Sequence, residues 1–191
     1  MKKLFSAFIV FFNCFSFQAQ KEEGWVDLLN NDPPYLEVRD SVYQFENLTL
    51  EGYEWREDIP NEDGYEVVGL RELRIFRNGK YMQSLYNIGD DASFDSLVFY
   101  FYDFNMDGHL DFRIRRTCGK SCFYSYYFFD PKTEKFIRVK DWDYIRPALL
   151  SKQKKQFWEY PEGTAEWGYE RLYQVKGVKL KIIKEIKYGD R

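Results

Sequence analysis

Tyr102-Asp103-Phe104-Asn105-Met106-Asp107-Gly108-His109-Leu110-Asp111 is the stretch on which the fold turns. From Asp103 it runs D-x-N-x-D-G-x-x-D, with oxygen donors at positions 1, 3, 5 and 9 and glycine at 6. That is the front of the loop with which EF-hand-like sites hold calcium. Donors two residues apart turn inward together when the chain curls around one point, and Gly108 permits the turn that a Cβ would resist. In this reading Asp103, Asn105, Asp107 and Asp111 supply side-chain oxygens and His109 its backbone carbonyl. Three carboxylates then face a doubly charged, hard cation, and calcium is the expected cofactor, in a structural role. At the twelfth position, where an EF-hand needs a bidentate Glu, the chain has Ile114. The plain alternative is a polar β-turn rich in Asp and Asn; four donors in register with the glycine favour calcium.

The flanks account for Ile114. Asp95 to Tyr102 is aromatic and β-branched, a strand by composition. Asp111 to Thr117 alternates, with Phe112 and Ile114 on one face and Arg113 and Arg115 on the other. The loop therefore joins two strands rather than two helices. Upstream, Leu70–Arg77 and Lys80–Ile88 flank Asn78-Gly79, a hairpin signal because both turn residues tolerate positive φ. Val42–Leu50 reads as one strand and Glu51–Gly64 as an acidic loop. Downstream, Phe123–Phe129 is a strand apolar on both faces, turned by Asp130-Pro131-Lys132-Thr133-Glu134 into Lys135–Val139. Trp142–Leu150 reads as a short helix interrupted at Pro147, Gln156–Tyr160 as a brief strand, and Trp167–Val175 as a longer one. After the Lys176-Gly177 turn, the last strand is expected to bury Val178, Leu180, Ile182 and Ile186 and to expose Lys179, Lys181, Glu185 and Lys187. The expected fold is mainly β, an antiparallel meander of roughly eight to ten strands, propeller-like or a sandwich, with a strand–loop–strand calcium site.

Cys118 and Cys122 form an isolated pair just after this unit. Met1-Lys2-Lys3 followed by the apolar run Leu4–Phe17 is a secretory signal peptide in pattern, so one disulfide is the simplest use of the pair. It closes a small loop, with a modest entropic gain of about 2 kcal/mol. Redox chemistry would prefer C-x-x-C beside a helix, and zinc would want more ligands nearby. Cys14 lacks the small residues that should precede a lipid-modified cysteine, so it is expected to leave with the leader. Residues 1–20 are thus read as signal peptide, 21–40 as a loose leader segment, and 41–191 as a single antiparallel β domain. The chain is expected in the periplasm or outside the cell, soluble once the signal peptide is removed. Loss of Lys2 and Lys3 takes the formal charge from −3 to −5, and no basic run exceeds Lys154-Lys155, which argues against nucleic acid as a partner.

Three features occur in order: D-F-N-M-D-G-H-L-D, then Y-Y-F-F-D-P-K-T-E-K-F, then E-G-T-A-E-W-x-Y-E-x-L-Y before a terminal K-G-V-K-L strand. On these the chain resembles a family of small exported bacterial β proteins with a calcium loop. Its best-known members are periplasmic immunity proteins that resemble lysozyme inhibitors and block peptidoglycan-cleaving toxins. The resemblance covers roughly Leu70 to Ile186. It implies that this chain binds a secreted hydrolase or toxin, and only the calcium ligands transfer residue by residue. The residue-level candidate for partner binding is the loop Tyr160–Trp167, with Tyr160, Glu162, Gly163, Glu166 and Trp167 around a flexible centre and Glu159 adding acid for a basic partner surface.

An enzyme is not expected. His109 is the only histidine, so Ser-His and Cys-His chemistry has no base. Glu159 paired with Glu162 or Glu166 is the remaining catalytic option, acting on a glycosidic bond. A carbohydrate or cell-surface binding module is the other alternative, with Trp158, Trp167 and Tyr169 as stacking residues.

Overall fold

The computed structural model describes residues 24–28, 35–37, 42–56, 68–89, 98–118, 122–159, 162–163 and 167–189. Residues 1–20, read from sequence as a signal peptide, lie outside these, as do residues 57–67. The described chain is mainly β and antiparallel, arranged in three sheets.

The first sheet contains β3 (Val42–Phe45), β4 (Leu48–Arg56), β5 (Val68–Arg77) and β6 (Lys80–Gly89), in that order. Its β5–β6 turn is the expected Asn-Gly hairpin: Asn78 and Gly79 take φ of 50° and 74°, the left-handed pair whose twist matches the strands. The single strand expected over Val42–Leu50 is instead a hairpin, because Glu46 turns at φ 50° and the chain returns along β3. The strand then runs on through Glu51–Arg56, where an acidic loop was expected, since β5 pairs with it along its whole length.

The central sheet runs β2 (Tyr35–Glu37), β7 (Val98–Tyr102), β8 (Asp111–Cys118), β9 (Cys122–Asp130), β10 (Lys135–Arg138). Both its faces are covered. Phe99, Phe101, Phe112, Ile114, Tyr127 and Phe129 pack against Leu48, Leu50, Leu73 and Ile75 of the first sheet. The alternate residues Tyr126 and Phe128 pack the other way, against Leu150, Phe157, Tyr173 and Val175 of the third sheet. That sheet contains β1 (Val26–Asp27), β11 (Pro147–Ser151), β12 (Gln156–Glu159), β13 (Glu162–Gly163), β14 (Gly168–Lys176) and β15 (Lys179–Tyr188), the last pairing with β14. The segment expected to be a loose leader therefore supplies β1 and β2, and Leu28 beside β1 is buried. In place of the helix expected over Trp142–Leu150 there is one 3₁₀ turn, Lys140–Trp142, followed by β11. Pro147 opens that strand, a position where its missing N–H costs no ladder bond.

Coverage of the second face changes the role of Arg113. Expected on a polar outer face, it is only 6% exposed. Its guanidinium lies 4.1 Å from the Tyr124 ring, 4.8 Å from Tyr100 and 5.1 Å from Phe104. It also donates to the Tyr126 hydroxyl at 3.1 Å, which donates onward to the Ile145 carbonyl. Ring faces carry partial negative charge and so compensate in part for the lost hydration.

A side chain joins the first two sheets. Gln83 of β6 accepts the Phe136 N–H at 2.7 Å and donates to the Phe136 carbonyl at 3.0 Å, reproducing one rung of strand pairing on β10. Gln83→Leu leaves both buried backbone groups without partners and is expected to cost about 2–4 kcal/mol in denaturant unfolding, against under 1 kcal/mol if those groups find water.

Candidate metal loop and the cleft beside it

Between β7 and β8 the chain alternates in function as it does in sequence. Phe104 and Met106 point into the core beside Trp142, while Asp103, Asn105 and Asp107 gather around the loop's own amides. Asp103 Oδ1 and Asn105 Oδ1 both accept the Asp107 N–H, at 2.9 and 3.1 Å. Asp103 Oδ2 accepts from Gly108 N–H at 3.2 Å, and Asp107 Oδ1 from His109 N–H at 2.9 Å. Asn105 Nδ2 donates to Asp107 Oδ2 at 2.9 Å. Met106 and Gly108 take φ of 61° and 93°. A Cβ on Gly108 would meet nothing within 4 Å, so the glycine is required by its backbone angle and not by space. The His109 ring rests near Phe129, 5.5 Å between centres.

Asp111 closes the loop from below. It is fully buried, and its Oδ2 accepts from the amides of Phe104 (3.0 Å) and Asn105 (3.4 Å) while Oδ1 accepts from Phe129 N–H (2.9 Å). Burial pushes its carboxyl up to about 8; the Phe129 amide pulls it back, and the Asp107 charge pushes it further up. Ile114 sits in the core on β8, which explains why no twelfth-position ligand exists.

Among the described residues no three acidic, histidine or cysteine side chains form by themselves a group able to hold a metal. The donor types fit a hard cation nonetheless: two carboxylates and a carboxamide at positions 1, 3 and 5, with a peptide carbonyl at His109. Asp111 is committed to three amides and shapes the loop from behind.

A cation that sequence reasoning missed already touches the loop. Lys152, from the β11–β12 turn, places Nζ 2.9 Å from Asp103 Oδ2 and 5.2 Å from the Tyr102 ring centre. Its pKa is raised: burial acts against the ammonium, and the Asp103 hydrogen bond and charge outweigh it. Nothing in the spacing of residues 103 and 152 announces this contact; it arises where the third sheet meets the central one.

Beside the loop an open cleft of about 610 Å³ reaches the β14–β15 turn. Ile137 and Val178 line it with 48% and 45% of their surfaces exposed. Asp107, Asp130 and Asp141 bring acid to it, against Lys140 and an Arg138 already paired with Asp143.

The other expected site residues are dispersed. Tyr160 and Glu166 lie outside the described residues, and Glu162 and Gly163 are described only as backbone pairing with Tyr169 and Gly168. Trp167 is half-buried. Glu159 is not the surface acid expected: it is buried and accepts from the Tyr173 hydroxyl at 3.1 Å, because β12 turns it under the third sheet. Trp158 carries Lys184 over its ring, and Tyr169 carries Arg171. Val178, Ile182 and Ile186, expected inside, are exposed: Val178 lies in the β14–β15 turn, and β15 is a border strand laid alongside β14. The backbone register sets Cys118 directly across from Cys122.

The fold and the loop define a class: a three-sheet antiparallel β protein with an acidic turn between central strands. No protein-family model and no curated protein matches the chain. Among solved structures it is similar to a Xanthomonas type IV secretion system related protein, with 12% identity, a TM-score of 0.54 and 85% of each chain covered. No helix among the described residues is long and apolar enough to cross a membrane.

Proposed function

We propose that this chain is an exported, calcium-stabilised protein-binding module whose partner is a secreted hydrolase of the lysozyme kind. The observation that carries the reading is the cleft, where exposed Ile137 and Val178 stand beside Asp107, Asp130 and Asp141 next to a loop of calcium-ligand composition. Apolar side chains left in water beside an acidic rim suit a cationic protein partner. A rigid sheet scaffold limits the entropy lost on docking. The Xanthomonas neighbour, named for a secretion system, supports a place in the traffic between cells only through shared fold.

The test is a panel of cationic lysozymes and lytic toxins, assayed for binding and inhibition by the purified protein. Binding by at least one, weakened about tenfold by Asp130→Lys with Asp141→Lys, is the expected outcome. No binding anywhere on the panel, with specific retention on a polysaccharide, transfers the function to glycan recognition.

Calcium has its own expected result. The protein should melt higher in calcium than in chelator, since a ligand bound only by the native state stabilises it by mass action, by about 2.7 kcal/mol at a hundredfold excess over Kd. Asp103→Ala and Asp107→Ala should each remove the difference; equal melting points for the unsubstituted protein, with no heat on titration, refute it.

The Cys118–Cys122 register supports a cross-strand disulfide between β8 and β9. Protein from the cell envelope should be two hydrogens lighter than its reduced form by non-reducing mass spectrometry, and two thiols open to alkylation would show that no bridge forms.

A further inference from the structure

Asp103 is the first donor of the loop and is almost wholly buried, whereas the Lys152 side chain that meets it is half in water. A nearly buried carboxylate without a partner is costly, and here one positive charge lies 2.9 Å from it. An ammonium brings three donors and no acceptor, so it takes up the same oxygen lone pairs that a metal ion would use.

We propose that Lys152 is the loop's resident counter-cation: it holds Asp103 while no metal is bound and must withdraw when calcium enters. This rests on the calcium reading of residues 103–111. The chain around Lys152 suits the role. Its ammonium sits on a flexible four-carbon stem at a hairpin turn and lies over the face of Tyr102, so departure from Asp103 leaves it near solvent. The loop is thereby kept folded without metal. A like charge a few ångströms away also lowers calcium affinity, towards the weak range of roughly 10⁻⁴–10⁻³ M used by extracellular modules. Calcium entry is coupled through Lys152 to the β11–β12 hairpin, and so to the third sheet.

The test is Lys152→Met, which keeps most of the stem and removes the charge, made in the full chain and purified as the cell processes it. Lys154→Met is the control: it removes the same charge from the same turn, where the ammonium lies over Trp25 and not on the loop. Calcium titration calorimetry and melting in calcium and in chelator are the readouts. Lys152→Met should bind calcium about three- to tenfold tighter than both the unsubstituted protein and the control. It should also melt about 2–4 °C lower in chelator. Unchanged or weaker calcium affinity in a protein that does bind calcium overturns the proposal, whatever the melting point. If only Lys152→Met binds calcium, the counter-cation is shown in its strongest form. If neither protein binds calcium and Lys152→Met melts lower in chelator, the calcium reading fails while the counter-cation stands. If neither binds and melting is unchanged, both fail.

Discussion

Asp111→Ala is expected to lower the stability of the protein by about 3–5 kcal/mol, even with chelator present throughout. The carboxylate joins two segments that are distant in sequence: the amides of Phe104 and Asn105 in the loop and that of Phe129 on β9. Alanine leaves all three N–H groups buried without an acceptor and opens a small void beneath the loop. Asp111→Asn keeps one acceptor but turns its NH₂ towards an amide, so it should lose somewhat less. Chemical denaturation in chelator measures both. A loss under 1 kcal/mol for the alanine variant would show that water or backbone movement satisfies the amides, and that Asp111 does not hold the loop to β9.

Trp142→Ala should cost a similar amount, about 3–5 kcal/mol, for a different reason. Trp142 is fully buried, with ring centres of Phe128, Phe157 and Tyr126 at 4.8, 5.3 and 5.6 Å. Its indole N–H donates to the Val178 carbonyl at 2.8 Å and so ties the 3₁₀ turn to the β14–β15 turn. Truncation leaves a cavity between the central and third sheets. Trp142→Phe fills most of it and loses the hydrogen bond, so it should fall between the two. Unfolding of Trp142→Ala with an unchanged midpoint would mean that this part of the core collapses around the gap.

Much of this architecture was legible in local chemistry. Asn78-Gly79 specifies its hairpin because two adjacent positive φ angles are otherwise costly, and the Asp130–Glu134 turn follows from Pro131. The loop at Asp103–Asp111 shows in the spacing because polar Asp103, Asn105 and Asp107 alternate with the core residues Phe104 and Met106 ahead of Gly108, which takes positive φ. What was not legible depends on a third layer. Alternation in β8 marks two faces but does not say that both are covered, so Arg113 reads as solvent-facing until the rings of Tyr100, Phe104 and Tyr124 are seen around it. The apolar spacing of β15 predicts a buried face, but burial needs a layer behind it, and Ile182 and Ile186 keep 46% and 40% of their surfaces in water. Lys152 and Gln83 act 49 and 53 residues away from their partners, at distances where a single sequence carries no periodic signal.

The Gln83 hook has a consequence for how molecules of this protein meet one another. β10 is a border strand of the central sheet, and such a border normally offers N–H and C=O groups on which a strand from a second molecule can template itself. At Phe136 those groups are already taken from within. The long border strand β15 is guarded by other means: two residues oppose one where its register slips between Leu172 and Tyr173, and Lys179, Lys181, Lys184 and Lys187 stud its length. A chain one-fifth aromatic is thereby shielded from growing into fibrils along two of its borders.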